Sequence, residues 1–295
     1  MRLTARNVSY AYGAAAPALR EVSLEVEPGL MTFVLGANGS GKTTLLQCLS
    51  AVRRPDTGRV TLDDIPVERL TPRQRARALA YVPQVHEAVF AYSVLEVALM
   101  GRTPHRGALA APRPADRDAT LAALEAVGLA ALRDRPYTQT SGGEQRLTLI
   151  ARGLAQGAAV LLLDEPDAHL DPSFQERILR RIRELAEHGR TAVVTSHAPN
   201  NALLHGDRVL FLAGGRRIAM GPPRAVLTER TLHEAYGMRF VVIEDAVGRR
   251  AILPAQAPGD AADLVVVPLA EQPARNADPG PGEEQDNEKP EAGRL

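Results

Sequence analysis

The chain has 295 residues, of which 45% are hydrophobic and 24% charged, and its 35 basic residues balance its 35 acidic ones. These values are typical of a folded globular protein and exclude a wholly disordered or fibrous one. A single cysteine, Cys48, excludes a disulfide framework, and an aromatic content of 4% without tryptophan argues against stacking on single-stranded nucleic acid.

The remaining composition argues for a soluble protein. No apolar run approaches the length of about 18 residues that a spanning helix needs, and the N-terminus lacks the layout of an export signal, so we expect a cytoplasmic location. Residues 251–295 carry nine acidic and three basic residues, which leaves a net charge of −6 there and +6 over residues 1–250. Because +6 is small for a body of this size, we expect no nucleic-acid partner.

The first part of the chain predicts short strands followed by a helix. Residues 22–26 alternate apolar and polar side chains, and residues 30–35 form a continuous apolar run, as β-strands do. A glycine-rich turn over residues 36–41 then leads into a helical pattern over residues 42–51. Strand, glycine turn and helix in this order are typical of a phosphate-binding unit.

The rest of the chain alternates helices with strands. Helical patterns cover residues 73–80, 115–127 and 144–155, and strand patterns cover residues 81–82, 160–163 and 191–195, with a hairpin from 209–212 to 217–220. This alternation predicts an α/β fold with a largely parallel sheet covered on both faces. From about residue 254 the chain is rich in proline, alanine, glycine and acids, and we expect its last twenty residues to be disordered.

One further helix is predicted to begin at Pro172, with Asp171 as its cap, and to end near Gly189. Its apolar spacing predicts one buried face, formed by Phe174, Ile178, Ile182 and Leu185.

The glycine-rich turn fits the pattern G-x-x-x-x-G-K-[ST], with the residues Gly36, Ala37, Asn38, Gly39, Ser40, Gly41, Lys42 and Thr43. Glycines allow backbone angles that turn several N–H groups toward one anion, and the following helix adds its positive end. We expect Lys42 to reach the β- and γ-phosphates of a nucleotide and the Thr43 hydroxyl to bind Mg²⁺. The alternative is a glycine-rich turn without a ligand.

An acidic pair, Asp164 and Glu165, follows the apolar residues 160–163. At the exit of a buried strand, Asp164 can hold a Mg²⁺-bound water. Glu165 is expected to point to the other side of the chain, where it can act on the attacking water without binding the metal. The alternative interpretation is a strand that simply ends in solvent.

A second candidate anion site lies between these motifs, directly before a helical pattern. It consists of Ser141, Gly142, Gly143 and Glu144. Two glycines at the start of a helix expose N–H groups, and Ser141 adds a hydroxyl. Taken alone, the same residues are more typical of an ordinary helix cap with a flexible lead-in.

Together the three motifs resemble the nucleotide-binding subunit of ATP-binding cassette (ABC) transporters, over about residues 1–250. The resemblance implies a P-loop NTPase core of mainly parallel sheet, an antiparallel β subdomain, and an inserted helical subdomain at about residues 85–155. Residues 251–295 would form a C-terminal extension. In that family the Ser-Gly-Gly segment of one subunit closes on ATP held by the glycine loop of the other, which implies a homodimer. The usual leucine before the serine is Thr140 here.

Other positions match the family one by one. Tyr12 resembles the aromatic residue that stacks on adenine, although a strand-end tyrosine is the alternative, and Thr44 completes the ATP-binding loop. Gln84 resembles the glutamine that touches Mg²⁺ and senses the membrane partner. The loop ending at Asp171 resembles the contact between the two subunits. His197 looks like the histidine that contacts the γ-phosphate, but residues 198–200 (Ala-Pro-Asn) differ from the family's more acidic continuation.

Residues 90–105 resemble the segment of importers for iron chelates, haem and cobalamin that borders the permease-binding groove; a plain amphipathic helix is the alternative. Residues 221–228 and 232–237 are similar to the same importers. The resemblance implies an ATP- and Mg²⁺-dependent ATPase at the cytoplasmic face of the inner membrane. A permease dimer would dock between Gln84 and His105, and an external substrate-binding protein would act indirectly.

Two other classes are weighed against this interpretation. A soluble ABC ATPase acting on ribosomes or DNA generally has two cassettes or a long insertion, whereas this chain has one cassette and a short stretch between Gln84 and Ser141. A non-catalytic regulator is disfavoured because Glu165 and His197 are both present. An ABC transporter for another substrate, or an exporter, stays open, because the permease sets cargo and direction.

Overall fold

The computed structural model describes residues 1–13, 15–84, 91–106 and 110–255. Within these ranges the chain forms twelve strands and nine α-helices. The strands are β1 (Leu3–Tyr10), β2 (Leu19–Val26), β3 (Met31–Leu35), β4 (Thr57–Leu62), β5 (Ile65–Pro66), β6 (Leu79–Val82), β7 (Val160–Leu163), β8 (Thr191–Ser196), β9 (Arg208–Ala213), β10 (Arg216–Gly221), β11 (Phe240–Glu244) and β12 (Arg250–Pro254). The helices are α1 (Lys42–Leu49), α2 (Pro72–Ala78), α3 (Val94–Leu99), α4 (Pro114–Ala126), α5 (Gly142–Ala155), α6 (Pro172–Glu187), α7 (Pro199–His205), α8 (Pro223–Val226) and α9 (Glu229–Tyr236).

A six-stranded sheet in the order β10-β9-β3-β8-β7-β6 forms the centre of the molecule. The strands from β9 to β6 are parallel, and only β10 runs antiparallel, through the predicted hairpin with β9. Strands β3, β7 and β8 are buried along their whole length because both faces of the sheet are covered. The predicted α/β fold with a mainly parallel sheet is confirmed.

Helix α1 lies between the central sheet and a second, antiparallel sheet in the order β2-β1-β4-β5. Its apolar side chains Leu45, Leu46 and Leu49 belong to one core cluster with residues of both sheets, such as Val22 and Val34. Packing on two sides fixes the start of α1, and therefore the glycine loop before it, relative to the central sheet.

The segment between β6 and β7 forms the predicted helical insertion, with α3, α4 and α5 packed together. Helix α3 begins with a capping box in which Ser93 and Glu96 hydrogen-bond each other's backbone N–H. Residues 85–90 and 107–109, which include part of the predicted permease-binding segment, lie outside the described residues.

Helix α6 begins at Pro172 with Asp171 as its cap, as predicted, and its carboxylate accepts hydrogen bonds from two backbone N–H groups. Ile178 and Ile182 are buried, but the prediction that Phe174 and Leu185 are buried equally is wrong, because both are only half-buried. Leu185 packs on the border of the core, and the ring of Phe174 lies beside Gly143 of α5.

The C-terminal part folds back onto the core beyond the predicted domain boundary at residue 250. Strand β12 (Arg250–Pro254) crosses that boundary and pairs with β11, and Ile252 is buried in the main core. We define the C-terminal unit as residues 223–254, which comprise α8, α9, β11 and β12. Residues 256–295, including the tail predicted to be disordered, lie outside the described residues.

Among the described helices, none combines the length and the apolar character required to cross a bilayer.

Candidate functional site

The sequence motifs meet at one edge of the central sheet. Strands β3, β7 and β8 are parallel neighbours, so their carboxyl ends lie side by side. The glycine loop follows β3, the acidic pair follows β7, and His197 follows β8. A cavity of about 900 Å³ opens at this edge. Its lining includes Tyr12, Ala37, Asn38, Gly39, Gly41, Lys42, Thr43, Thr44, Gln84, Glu165 and His197. Open α/β sheets bind ligands at such an edge.

Two glycines of the loop pack tightly against the backbone of neighbouring segments. Gly36 and Gly41 have φ angles of +153° and +102°. A Cβ atom at Gly36 would lie 2.2 Å from the Leu212 carbonyl oxygen, and one at Gly41 would lie 2.5 Å from that of Ala18. Only glycine therefore fits at either position. The Ser40 hydroxyl is buried within the loop and has no hydrogen-bond partner among the described residues.

Lys42 lies at the first turn of α1 with its ammonium group directed back over the loop. Its Nζ donates to the carbonyl oxygens of Gly36 at 2.9 Å and Ala37 at 3.2 Å, and lies 3.6 Å from Glu165 Oε1. The side chain is almost fully buried. A buried ammonium beside a glycine cradle places concentrated positive charge where a phosphate would sit.

Asp164 is held by three hydroxyl groups. Its Oδ1 accepts hydrogen bonds from Thr43 Oγ1 at 3.2 Å and Thr195 Oγ1 at 2.7 Å, and its Oδ2 accepts one from the Tyr81 hydroxyl at 3.2 Å. Burial, reinforced by the charge of Asp164, raises the pKa of Tyr81 to about 12, so the phenol stays protonated as a donor. The Thr43 hydroxyl and the Asp164 carboxylate form an oxygen donor set of the kind that Mg²⁺ prefers.

Glu165 turns away from these groups toward the opposite side of the cavity. Its φ of +43° lies in the left-handed region, and its N–H donates to Thr195 Oγ1 at 2.8 Å. Its Oε2 accepts from Gln84 Nε2 at 2.8 Å and lies 3.9 Å from His197 Nδ1. The two carboxylates therefore serve different partners. Asp164 contacts the metal-type donor Thr43, whereas Glu165 faces the groups around the open cavity.

Tyr12 lies at the rim of the cavity with 44% of its surface exposed. Its hydroxyl is 3.1 Å from Thr44 Oγ1, and the guanidinium of Arg53 lies 4.6 Å from the centre of its ring. Arg53 also donates to the Tyr10 hydroxyl at 2.8 Å. No local sequence pattern predicts the contact of Arg53 with Tyr12, because only the tertiary fold brings the turn after α1 to this ring.

Tyr236 of α9 lines the cavity itself, and no sequence motif predicted it there. Its hydroxyl donates to the His197 carbonyl oxygen at 3.3 Å, next to a His197 side chain that is 55% exposed. The only signal in the sequence was the similarity of residues 232–237 to importers, which names no contact.

The segment of residues 141–144 is folded as a helix cap. The Ser141 hydroxyl accepts from the Glu144 N–H at 3.3 Å, and the Glu144 carboxylate accepts from the Ser141 N–H at 2.8 Å. Within the described part of the chain these residues do not line the cavity of their own subunit. Five residues after Ser141, the guanidinium of Arg146 donates to the carbonyl oxygens of Pro83 and Gln84, so α5 is tied to the Gln84 loop.

A family model described as ABC transporter matches residues 19–168, which is half of the chain and covers the glycine loop, Ser141 and the acidic pair. The chain belongs to the ABC transporter ATP-binding family. The resemblance predicted from the motifs is therefore confirmed, and with it the activity: this ABC subunit binds ATP and is an ATPase coupled to transport.

Relatives and solved structures place this ABC subunit more closely. It is 40% identical over 229 residues to the hemin import ATP-binding protein HmuV of Pseudomonas fluorescens (strain Pf0-1), covering 76% of this chain and 88% of the relative. A metal-chelate type ABC transporter in an inward-facing conformation superimposes with a TM-score of 0.76 at 29% identity, over 86% of this chain and 97% of that one. A dimeric bacterial ABC transporter cassette, also 29% identical, gives a TM-score of 0.67 over 75% and 99%.

Proposed function

We propose that this ABC subunit works as a homodimer that hydrolyses ATP to drive import of haem or a related metal chelate. The observation that carries the proposal is the division of the site. Lys42, Glu165 and His197 converge on one cavity, whereas the Ser141 segment lies outside it. A second copy can bring its own Ser141 helix start to the open side, and the dimeric cassette among the structural neighbours supports this arrangement.

ATP binding is assigned to the glycine loop and the start of α1. The backbone N–H groups of residues 36–41 and the Lys42 ammonium would grip the phosphates, while Tyr12 would pack on the adenine. Lys42 donates to two neutral carbonyl oxygens, so a triphosphate would replace these by a stronger, charge-assisted contact.

Hydrolysis is assigned to Glu165, which faces the open cavity and can orient a water molecule or accept its proton. Gln84 holds one carboxylate oxygen at 2.8 Å, and His197 lies beside it, where it would contact the γ-phosphate. Thr43, Asp164 and Gln84 would hold Mg²⁺, which supplies neutralisation of the phosphate charge during transfer.

The shared site predicts that activity depends on association. An isolated copy lacks the partner's residues 141–144, and Asp171 belongs to the loop proposed to touch the partner. The ATPase rate per subunit should therefore fall on dilution into the range where only monomer exists. A rate per subunit that stays constant through that range would contradict the shared site.

Coupling to transport is assigned to the surface between Gln84 and His105, where a permease would dock. Arg146 links this region to the Ser141 helix, because it binds the backbone carbonyl of Gln84. The subunit would then sit peripherally at the cytoplasmic face of the inner membrane, with a substrate-binding protein outside. The names of the relatives support a haem or metal-chelate cargo.

The assigned base is tested by Glu165→Gln. The amide keeps the size of the side chain but cannot accept the proton, so we expect ATP binding, a stable dimer on size exclusion and nearly no turnover. Glu187→Gln is the matched control, because Glu187 forms a surface ion pair with Arg183 far from the cavity. Hydrolysis at the wild-type rate in Glu165→Gln would remove Glu165 from this role.

The cargo is tested in liposomes that contain the permease purified together with this subunit. Hemin, cobalamin and a ferric siderophore, each with its binding protein, are compared for stimulation of ATP hydrolysis. Stimulation by one chelate supports the proposal and names the cargo. Co-purification with ribosomes or DNA instead of a permease would refute it.

A further inference from the structure

The C-terminal unit reaches the catalytic edge of the sheet through α7, the short helix that follows His197. Helix α7 spans Pro199–His205 and contacts strand β12, whose Ile252 is buried in the main core. The glycine loop, the acidic pair and His197 all lie outside the C-terminal unit. The contacts that this unit makes near the cavity therefore require a separate explanation.

The first contact is a matched pair of hydrogen bonds at Asn200. Its Nδ2 donates to the Ile252 carbonyl oxygen at 2.9 Å, and its Oδ1 accepts from the Ile252 N–H at 2.9 Å. A carboxamide is required for both, since a carboxylate has no N–H to donate and would place an oxygen against the carbonyl. The sequence Ala198-Pro199-Asn200, which departs from the acidic continuation expected after the histidine, therefore has a structural reason.

The second contact is made by Tyr236. Its hydroxyl donates to the His197 carbonyl oxygen at 3.3 Å, and its ring packs against Phe211 and Phe240, with centroid distances of 6.2 and 5.5 Å. Burial raises the pKa of Tyr236, so the phenol stays protonated as a donor. Tyr236 thus ties α9 to the backbone of His197 at the border of the cavity.

The other side of the same turn is tied to the loop after β7, which carries Glu165. Asp167, two residues beyond Glu165, accepts hydrogen bonds through Oδ2 from Ser196 Oγ at 2.9 Å and from Asn201 Nδ2 at 2.6 Å. His197 therefore projects from a turn that is fixed on both flanks, while its imidazole itself is half exposed.

We propose that Asn200 and Tyr236 are positioning residues for His197. Through these two residues, the C-terminal unit fixes the position of the His197 imidazole relative to the cavity. The inference rests on the proposed role of His197 at the γ-phosphate. It assigns to residues 223–254 a part in the rate of hydrolysis rather than in the affinity for ATP, because the Asn200 amide lies outside the cavity lining and the Tyr236 hydroxyl is engaged by the His197 carbonyl oxygen.

The test compares Asn200→Asp and Tyr236→Phe, both nearly isosteric, with Arg249→Ala. Arg249 lies in the turn of the same β-hairpin and pairs with Asp245. We expect kcat to fall about 10-fold in the first two variants, since small displacements of a reacting group cost that much or more. The Kd of a fluorescent ATP analogue should stay within about twofold of wild type, and Arg249→Ala should match wild type in both.

A double-mutant cycle separates positioning from a general loss of structure. In a His197→Ala background, Asn200→Asp and Tyr236→Phe should lower kcat no further, because the group they position is gone. Full multiplicative losses in that background would overturn the inference, and so would unchanged kcat in the single variants where His197→Ala is slow. Either result would leave the ATPase assignment intact.

A spectroscopic readout is independent of turnover. In the full chain labelled with ¹⁵N-histidine, the imidazole signals of His197 are identified by their loss in His197→Ala. They should shift in Asn200→Asp and Tyr236→Phe and stay in place in Arg249→Ala. Unshifted signals would refute the positioning role even in a preparation without ATPase activity.

Discussion

The buried hydroxyl of Thr195 provides a sharp test of how the acidic pair is held. Thr195 lies on β8 between the glycine-loop strand and the acidic strand and is fully buried. Its Oγ1 donates to Asp164 at 2.7 Å and accepts from the N–H of Glu165 at 2.8 Å. One oxygen atom therefore serves both carboxylate residues.

Thr195→Val removes that oxygen and keeps the shape of the side chain. The Asp164 carboxylate loses a charge-assisted hydrogen bond worth about 1.5–3 kcal/mol, and the Glu165 N–H is left unpaired at a cost of about 1–3 kcal/mol. We expect the free energy of unfolding to fall by about 3 kcal/mol or more, and Thr195→Ser to recover most of the loss.

The chain offers a matched control on the neighbouring strand. Thr32 of β3 is equally buried, but its hydroxyl has no partner within the described residues. Thr32→Val removes an unsatisfied polar group, so it should be neutral or stabilising by about 1–2 kcal/mol. Urea unfolding at pH 7 measures both, and ATPase assays should show a loss only for Thr195→Val. Equal unfolding free energies for the two valine variants would refute the hydrogen-bond argument.

Three further expectations follow from burial and charge. Burial raises the pKa of Cys48 to about 12, so a disulfide reagent at pH 8 should find no thiol in the native protein and one after unfolding; rapid native labelling would contradict this. Hydrogen bonds from Ser173 and Phe174 lower the pKa of Asp171, so its contribution to stability is present above the unfolded pKa of about 3.9 and lost as the pH falls through the folded value. Asp171→Asn should therefore destabilise more at pH 6 than at pH 3 in urea titrations, and an equal loss at both pH values would contradict this. Gly101→Ala would place a Cβ 2.1 Å from the Arg152 carbonyl oxygen, so thermal unfolding should show that the free energy of unfolding falls by about 2 kcal/mol. An unchanged melting temperature would mean that α5 can shift to accommodate the methyl group at no cost.

The sequence could predict the glycine loop, the acidic pair and His197 because each follows a strand by a fixed and local spacing. Parallel strands bring their carboxyl ends together, so the grouping of Lys42, Glu165 and His197 follows from the alternation of strands and helices. The same local reasoning identified Asp171 as a helix cap, which the structure confirms.

Residues that act through distant contacts could not be predicted in this way. Arg53 meets Tyr12 and Tyr236 meets His197 across about 40 positions of the chain, and neither pair has a periodic pattern. Phe174 was predicted to be buried and is only half-buried, because helical spacing gives the direction of a side chain but not the extent of the surface that covers it. The sequence predicted Thr195 only as a β-branched strand residue. Its hydrogen bonds to Asp164 and Glu165 depend on which strands lie next to β8.

The position of β8 has a consequence for how such a site can diverge. Because β8 is inserted between β3 and β7, the phosphate grip and the acidic pair start from strands separated by two ladder spacings, about 9.6 Å. Main-chain hydrogen bonds between the strands set this distance. Substitutions of side chains that line the cavity can therefore change the rate or the nucleotide preference, while the distance between β3 and β7 stays the same.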